Sequence, residues 1–282
     1  MATIDMFDND FENKWCPGCG NFPILSAMKQ AFNDQKLSPR DILLVSGIGQ
    51  AGKTPHFLNC NMFHSLHGRA LTVATGAKIA NKDLNIIVNS GDGDCYGEGG
   101  NHFMAAIRRN IDITLIVHNN MVYGLTKGQA SPTTTMGMPT SIQPAGTMST
   151  PCNPLALALG QGAGFVARGF SGDQPKLTEL IVQAMNHKGF AMIDVLQPCV
   201  SFNRVNTLQW YKKRVYNLAE TDHDKTNLIK AIELSFEWEE KIPLGILFQK
   251  EGPTFHDRVA NLTGPSLISH KYDGKKIAEK LF

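Results

Sequence analysis

Apolar runs rich in β-branched residues recur along this chain, and segments with helical spacing separate them. The runs lie at residues 41–46, 85–90, 112–118, 165–167 and 190–196. The helical segments lie at residues 24–32, 70–80, 102–109, 155–162 and 176–187. Strands that alternate with helices predict βαβ units, and therefore an α/β fold with a doubly wound, mostly parallel sheet. Such sheets bind ligands beyond the carboxyl ends of their strands, so the residues after each strand are the candidates for a site.

Residues 123–152 have no strong period and are rich in Thr, Ser, Pro, Gly and Met. We expect a long loop there, which either covers a site or is a surface excursion. Residues 1–205 are predicted to form one α/β domain, which includes an N-terminal Cys-x-x-Cys segment. Residues 206–282 are predicted to form a C-terminal extension that is partly helical, with a helix at 225–240.

Charge and composition exclude several classes of partner. The net charge is +2 without a long basic run, so we expect no nucleic-acid partner. The longest apolar stretches are far shorter than the roughly 20 residues that span a bilayer, and the N-terminus is acidic, unlike a secretory signal. Six cysteines, two of them in Cys-x-x-Cys, indicate metal or redox ligands in a reducing compartment. We therefore expect a soluble cytoplasmic protein.

Polar residues follow two neighbouring predicted strands. Gly91, Asp92 and Gly93 come after one strand, and Asn120 comes after the next. In a parallel sheet this crossover brings both strand ends to one edge, so the Asp92 carboxylate and the Asn120 amide oxygen can converge on one ion. Few protein ligands, with positions left for phosphate and water, suit Mg²⁺. The glycines allow close approach of a diphosphate, and residues 97–100 precede a helix whose N-terminus favours anions.

Gly-Asp-Gly followed by Asn-Asn resembles the diphosphate-binding signature of thiamine diphosphate enzymes. That resemblance makes Asp92, Asn120 and the main-chain carbonyl of Val122 the magnesium ligands. Over residues 15–203 the chain resembles the beta subunit of 2-oxoacid:ferredoxin oxidoreductases, with the 2-oxoglutarate and pyruvate types nearest. The segments that carry this resemblance are Trp15–Gly20, Ser46–Gly49, His67–Arg69 and Tyr123–Gln129.

The resemblance implies a thiamine diphosphate-binding fold and oxidative decarboxylation of a 2-oxo acid to acyl-CoA and CO₂. Coenzyme A would be a co-substrate, and ferredoxin or flavodoxin would accept the electrons. An alpha subunit, separate or fused with gamma, would hold the aminopyrimidine and contribute the activating glutamate. The chain would then carry half of an active site.

The resemblance also assigns site residues. Lys53 and Lys127 would position the substrate carboxylate, although lysines after glycine-rich turns are also often simply solvated. His67 would lie near the diphosphate, or it could cap the following helix. Leu125 would support the folded cofactor, or it could belong to the core. The other predicted cofactor contacts are Gly47, Ile48, Gly49, Gly91, Gly93, Asp94, Tyr123 and Gly124.

Three cysteines match the family's ligands for a [4Fe–4S] cluster, namely Cys16, Cys19 and Cys199. Four thiolates normally hold such a cluster. The fourth family position, directly after Gly-Ile-Gly, is Gln50. Cys60 could substitute, Gln50 oxygen could complete a three-cysteine site, or the cluster could be lost. An amide oxygen is a poor ligand for iron beside sulfide, and Cys60 could equally be a buried thiol.

Three alternatives to this interpretation stay open. Zinc is the alternative metal for Cys-x-x-Cys, but a second cysteine pair at zinc-finger spacing is missing. Gln50 favours a thiamine diphosphate enzyme without electron transfer, such as a non-oxidative decarboxylase or carboligase. The chain could also be a non-catalytic assembly or regulatory subunit that keeps the cofactor bound.

Overall fold

A computed structural model describes residues 6–271 together with Gly274 and Glu279. Its strands are β1 (Ile42–Ser46), β2 (Asn61–His64), β3 (Asn85–Gly91), β4 (Ile113–Asn119), β5 (Val122–Tyr123), β6 (Gln129–Ala130), β7 (Phe165–Phe170), β8 (Phe190–Leu196), β9 (Val215–Asn217) and β10 (Ile242–Gln249). Eight of them form one sheet in the order β2-β1-β3-β4-β8-β7-β10-β9.

The first six strands of this sheet are parallel, which confirms the predicted fold class. Strand β10 runs antiparallel to β7, with a register shift between Ile246 and Phe248, and β9 runs parallel to β10. Strands β4 and β8 are buried along their whole length. Continuous burial explains why they appear in the sequence as apolar runs rather than as alternating patterns.

Helices cover both faces of the sheet. They are α1 (Asn21–Asp34), α2 (Ala70–Ala80), α3 (Gly100–Arg109), α4 (Pro154–Gly160), α5 (Gln174–Met185), α6 (Leu208–Lys212), α7 (Leu228–Ser235) and α8 (Phe255–Arg258). Apolar side chains of α1 and α5 pack on one face, and those of α2, α3, α4 and α7 pack on the other. Two irregular helical segments matter for the site, a 3₁₀ helix at Ala51–Phe57 and a π-helical turn at Gly93–Glu98.

The five predicted strands and the five predicted helices of residues 24–196 are present, with ends shifted by up to three residues. The predicted helix at 225–240 is shorter. The Asn227 side chain caps α7 by accepting the Lys230 N–H, and the helix ends before Phe236. Strands β2, β5, β6, β9 and β10 were not predicted. The last two add residues 215–217 and 242–249 to the main sheet, so the C-terminal extension shares its core.

The predicted loop at 123–152 is mostly irregular, and it begins with the two-stranded hairpin of β5 and β6. Within residues 6–271 no helix is both long and apolar enough to cross a membrane.

Candidate active site

The loops after β1, β3 and β4 meet at one edge of the sheet, because these strands are parallel neighbours. The chain leaves β1 toward β2 and leaves β3 toward β4, on opposite sides, which opens a crevice between the strand ends. The predicted cofactor contacts other than Gly47 line this cleft: Ile48, Gly49, His67, Gly91, Asp92, Gly93, Asp94, Asn120, Val122, Tyr123, Gly124 and Leu125. The cavity measures about 80 Å³, whereas sites that enclose a small molecule usually measure roughly 300–1,000 Å³. The chain therefore provides a wall rather than an enclosed pocket.

Asp92 follows β3, and only 1% of the residue is exposed. Its Oδ2 accepts hydrogen bonds from the hydroxyls of Ser131 (2.5 Å) and Thr133 (2.6 Å). Its Oδ1 accepts the main-chain N–H of Asn120 at 3.4 Å. Burial raises the pKa of the Asp92 carboxyl to about 6, and the two hydroxyls oppose this rise. A carboxylate buried in this way favours a bound cation, which would offset its desolvation.

Asn120 and Val122 form a tight turn beside Asp92. The Asn120 Oδ1 accepts the N–H of Val122 at 3.1 Å, and the Asn120 carbonyl accepts the side-chain amide of Asn203 at 3.2 Å. Met121, between them, has φ of 61°, which is uncommon for a residue with a side chain. The three predicted magnesium ligands thus lie in one cleft. Within the part of the chain that the structure describes, no three His, Cys, Asp or Glu residues form a metal group, so this site would depend on one carboxylate with amide and carbonyl oxygens.

Asp94 connects two loops of the cleft. Its Oδ1 accepts the N–H of Ile48 (3.1 Å) and of Gly68 (2.9 Å), and its Oδ2 accepts the Ser90 hydroxyl (2.5 Å). A Cβ added at Gly47 would overlap this carboxylate, because it would lie 2.6 Å from Asp94 Cγ. Asp94 lines the cleft, but its oxygens are engaged in holding the backbone. This arrangement explains the glycine at position 47.

Tyr123 packs over the π-helical turn. Its hydroxyl donates to the Gly93 carbonyl (3.3 Å), and its ring lies so close to Gly93 that a Cβ there would be 2.7 Å from a ring carbon. The hydroxyl also lies 3.4 Å from a carboxylate oxygen of Glu98. Burial raises the pKa of the Tyr123 hydroxyl, so the phenol is neutral at physiological pH. The glycine after Asp92 is thus required by the ring of Tyr123.

Of the residues predicted to contact the substrate or to support the cofactor, His67 and Leu125 line the cleft, whereas Lys53 and Lys127 are not among its lining residues. His67 is exposed at its rim, and Leu125 is 43% exposed in its lining. Lys53 is half-buried in the 3₁₀ helix, and Lys127 is exposed with φ of 79°. Among the described residues neither lysine forms an ion pair.

Three of the predicted cluster cysteines lie near one another, although among the described residues they do not form a group of three side chains that could hold a metal ion. Charges on Cys16 and Cys199 act on Cys19, whose thiol pKa is raised to about 11, chiefly by burial and then by these two neighbours. Ser201 donates its hydroxyl to the Cys16 sulfur at 3.2 Å, and Gln197 donates its amide to the Cys19 sulfur at 3.5 Å. These residues stand before α1 and after β8, beyond the carboxyl edge of the sheet.

Cys60 does not join them. It directly precedes β2, next to the amino end of β1, and its sulfur accepts a hydrogen bond from the backbone of Leu44. His64, at the carboxyl end of β2, is four positions further along the chain, which is roughly 13 Å along a strand. The prediction that Cys60 replaces the missing cluster ligand is therefore not supported by the geometry.

Gln50 stands between the cleft and the cysteines. It lines the cleft, and its carbonyl accepts the indole N–H of Trp15, the residue before Cys16, at 2.8 Å. The side-chain Oε1 of Gln50 is buried and has no hydrogen-bond partner among the described residues. An acceptor of this kind is available to a ligand or to water.

A buried polar chain links the cysteine segment to the cleft. His118 Nδ1 lies 2.7 Å from the Asn21 amide oxygen, and His118 Nε2 lies 2.9 Å from that of Asn89. The Asn89 amide donates to Thr54 at 2.7 Å and to the Ala51 carbonyl at 3.2 Å. Burial lowers the pKa of His118 to about 3. These hydrogen-bonded side chains connect α1, β4, β3 and the 3₁₀ helix below the cleft.

The sequence predictions missed the residues that contact the Asp92 carboxylate from the long loop. Ser131 and Thr133 belong to the long loop that was expected either to cover a site or to be a surface excursion, but no individual hydroxyl in it was assigned a role. A signal was available, because a carboxylate at the end of a buried strand needs hydrogen-bond donors. Nothing in the run showed which hydroxyls would supply them.

Two family models match the chain. "Thiamine pyrophosphate enzyme, C-terminal TPP binding domain" matches residues 47–195, which contain the whole cleft. The C-terminal model of the pyruvate ferredoxin oxidoreductase beta subunit matches residues 199–264. The first covers more than half of the chain.

Several relatives match over most of their length. The 2-oxoacid:ferredoxin oxidoreductase subunit beta of Saccharolobus solfataricus is 50% identical, over 92% of this chain and 88% of that protein. The 2-oxoglutarate synthase subunit KorB of Archaeoglobus fulgidus is 39% identical, over 78% of this chain and 82% of that protein. A solved 2-oxoglutarate:ferredoxin oxidoreductase from Magnetococcus marinus, with 2-oxoglutarate, coenzyme A and succinyl-CoA bound, has a TM-score of 0.91 at 36% identity, covering 100% of this chain and 97% of that one. With the cleft inside the matched cofactor-binding region, the chain belongs to the family of 2-oxoacid:ferredoxin oxidoreductase beta subunits.

Proposed function

We propose that this chain binds the diphosphate of thiamine diphosphate through a magnesium ion held by Asp92, Asn120 and the Val122 carbonyl. With an alpha subunit, it oxidatively decarboxylates a 2-oxo acid, 2-oxoglutarate or pyruvate, to acyl-CoA and CO₂. The observation that carries the proposal is the 3.4 Å approach of the Asn120 N–H to Asp92 Oδ1 at the carboxyl edge of the sheet.

The residues present fit the cofactor. One buried carboxylate and two neutral oxygens provide hard ligands and leave positions for phosphate oxygens and water, as Mg²⁺ requires. Gly49 has φ of 100° and open space around its Cα, so the backbone there allows close approach of a ligand. When bound, thiamine diphosphate supplies the electron sink that stabilises the carbanion left by loss of CO₂. This chain's residues bind and orient that group, and the small cavity leaves the remaining walls to the alpha subunit.

The substrate and co-substrate follow from the relatives. The Magnetococcus marinus structure contains 2-oxoglutarate, coenzyme A and succinyl-CoA, and we propose the same chemical classes for this chain. The ammonium groups of Lys53 and Lys127, which form no ion pair with any residue that the structure describes, would attract and orient the carboxylate of the 2-oxo acid. His67 at the cleft rim would contact the diphosphate, and Leu125 would support the folded cofactor.

We propose further that Cys16, Cys19 and Cys199 hold a [4Fe–4S] cluster that passes electrons to ferredoxin or flavodoxin. The proximity of Cys16 and Cys199 to Cys19, with hydrogen-bond donors at two of the sulfurs, supports this assignment, because donors to sulfur are common around iron–sulfur clusters. The fourth position is not a cysteine in this chain. Free thiols throughout residues 6–271 are consistent with a reducing compartment, and we propose the cytoplasm.

The test uses the complex of this chain with its alpha subunit. Asp92→Ala should abolish Mg²⁺-dependent binding of thiamine diphosphate in isothermal titration calorimetry, together with 2-oxo acid oxidation. Asp222→Asn, an exposed carboxylate outside the cleft, is the matched control and should behave as wild type. Full cofactor affinity in Asp92→Ala would refute the proposed site, and retained activity would show that this chain's site is idle.

A second function is favoured by Gln50. Because the fourth cluster position is not a cysteine, the complex could use thiamine diphosphate for non-oxidative decarboxylation or carboligation. Product analysis separates the two functions. Acyl-CoA together with a reduced electron acceptor supports the oxidoreductase, whereas aldehyde or acyloin without acyl-CoA supports the alternative.

A further inference from the structure

Three hydroxyl side chains of the long loop, those of Ser131, Thr133 and Thr134, are more than nine-tenths buried. We call them the hydroxyl clamp. Ser131 and Thr133 both donate to the same oxygen of Asp92, Oδ2. The Asp92 Oδ1 is left with a single long contact to the Asn120 N–H. The clamp thus fixes the rotation of the carboxylate and leaves the oxygen on the Asn120 side for a cation.

Thr134 acts on the other half of the same site. Its hydroxyl donates to the Met121 carbonyl at 2.6 Å and also accepts the Ser131 N–H at 2.7 Å. Met121 has the left-handed conformation and lies between Asn120 and Val122. A hydrogen bond to its carbonyl stabilises a conformation that is otherwise unfavourable. One short segment therefore holds both the carboxylate and the turn that carries the other two proposed ligands.

A second layer of polar groups supports the clamp. Thr133 contacts the side-chain oxygen of Asn119 at 3.0 Å, and the Asn119 amide donates to both oxygens of Asp194, at 3.2 and 3.1 Å. The Tyr96 hydroxyl donates to Asp194 at 2.7 Å. The contacts of Thr133 with Asp92 and Asn119 are buried, so the position of Thr133 is determined from two sides.

We propose that Ser131, Thr133 and Thr134 are positioning residues for the magnesium site, acting through Asp92 Oδ2 and the Met121 carbonyl. This inference rests on the proposed function, because it assumes that Asp92, Asn120 and Val122 bind the metal. Groups that orient metal ligands typically contribute roughly 10- to 100-fold to metal affinity.

The test replaces Thr133 by Val, which keeps the shape and removes the hydroxyl, in the complex with the alpha subunit. Mn²⁺ in place of Mg²⁺ permits a direct measurement, because free Mn²⁺ is counted by electron paramagnetic resonance in the presence of thiamine diphosphate. We expect Thr133→Val to weaken Mn²⁺ binding about tenfold or more, and Thr133→Ser to restore it to within about threefold of wild type. Thr150→Val, an exposed position in the same loop, should leave it unchanged.

Comparison with Asp92→Ala distinguishes two kinds of failure. If Asp92→Ala removes Mn²⁺ binding while Thr133→Val binds Mn²⁺ as wild type does, the positioning role of Thr133 is refuted. The proposed magnesium site at Asp92 is then still supported. If Asp92→Ala also binds Mn²⁺ normally, the proposed function itself fails. Should Thr133→Val not assemble, Ser131→Ala makes the same measurement with a smaller change, and wild-type Mn²⁺ affinity in that variant would overturn the inference.

Discussion

Gly47 is the position where one added methyl group tests the geometry of the cleft. In Gly47→Ala the new Cβ would lie 2.6 Å from Asp94 Cγ, so the carboxylate has to move. Asp94 accepts hydrogen bonds from Ile48, Gly68 and Ser90, and it is almost fully buried. A shift large enough to relieve the overlap breaks at least two of these bonds.

The magnitude follows from those bonds. A hydrogen bond to a charged group contributes roughly 1.5–3 kcal/mol, so losing two costs about 3 kcal/mol or more. For a chain of this size, 1 kcal/mol corresponds to roughly 2–4 °C in melting temperature. Because Ile48 and Gly49 line the cleft, the same movement displaces the wall that faces the cofactor. We expect a fall of roughly 6 °C or more and a weaker affinity for thiamine diphosphate.

Differential scanning fluorimetry of the complex and calorimetric titration with thiamine diphosphate measure both effects. The control is Gly76→Ala in α2, where an added Cβ would meet no atom within 4 Å. That change should be neutral or stabilising by up to about 1 kcal/mol, because alanine favours helices. If Gly47→Ala has the same melting temperature and the same affinity for thiamine diphosphate as Gly76→Ala, Asp94 does not hold the backbone of the cleft in place.

Three further predictions concern the cysteines, acid stability and substrate binding. Cys19→Ser should lower iron content and the signal of the reduced cluster, whereas Cys60→Ser, an equally half-buried thiol, should retain both; equal loss in the two variants would contradict the assignment. Burial lowers the pKa of His187 below 6.5, so stability is full above that pH and decreases as the pH falls below it. His187→Phe should therefore reduce the loss of melting temperature between pH 6.5 and 5, and an unchanged slope would argue against this cause. Lys53→Met should raise the KM for the 2-oxo acid about tenfold, roughly 1.4 kcal/mol of binding, with unchanged cofactor affinity in calorimetry; an unchanged KM would remove Lys53 from the substrate site.

Most of the sheet could be predicted because its central strands are buried and β-branched. Strand β2 could not, since all four of its residues are exposed at the sheet edge and show no apolar pattern. Strand β10 contains Pro243 and Gly245, both unusual within strands, and a register shift interrupts it. Its place beside β7 depends on packing that a local pattern does not report.

Some residues of the candidate site could likewise be predicted from the sequence, and others could not. Asp92 and Asn120 could be predicted to converge because each follows a strand, and β3 and β4 are neighbours. Ser131 and Thr133 reach Asp92 from 39 and 41 residues further along the chain. A loop without periodicity brings them there, and nothing in the order of its residues indicates which hydroxyls turn inward.

Cys60 shows why position relative to a strand matters more than residue type. In a parallel sheet, residues after strands gather at one edge and residues before strands gather at the other. Cys199 follows β8, as Asp92 follows β3, and both lie at the edge that carries the cleft. Cys60 precedes β2, which places its thiol at the opposite edge even though its chemistry suits the missing cluster ligand. The fourth ligand of a bound cluster therefore has to come from a group at the carboxyl edge, such as Gln50, from solvent or from another subunit.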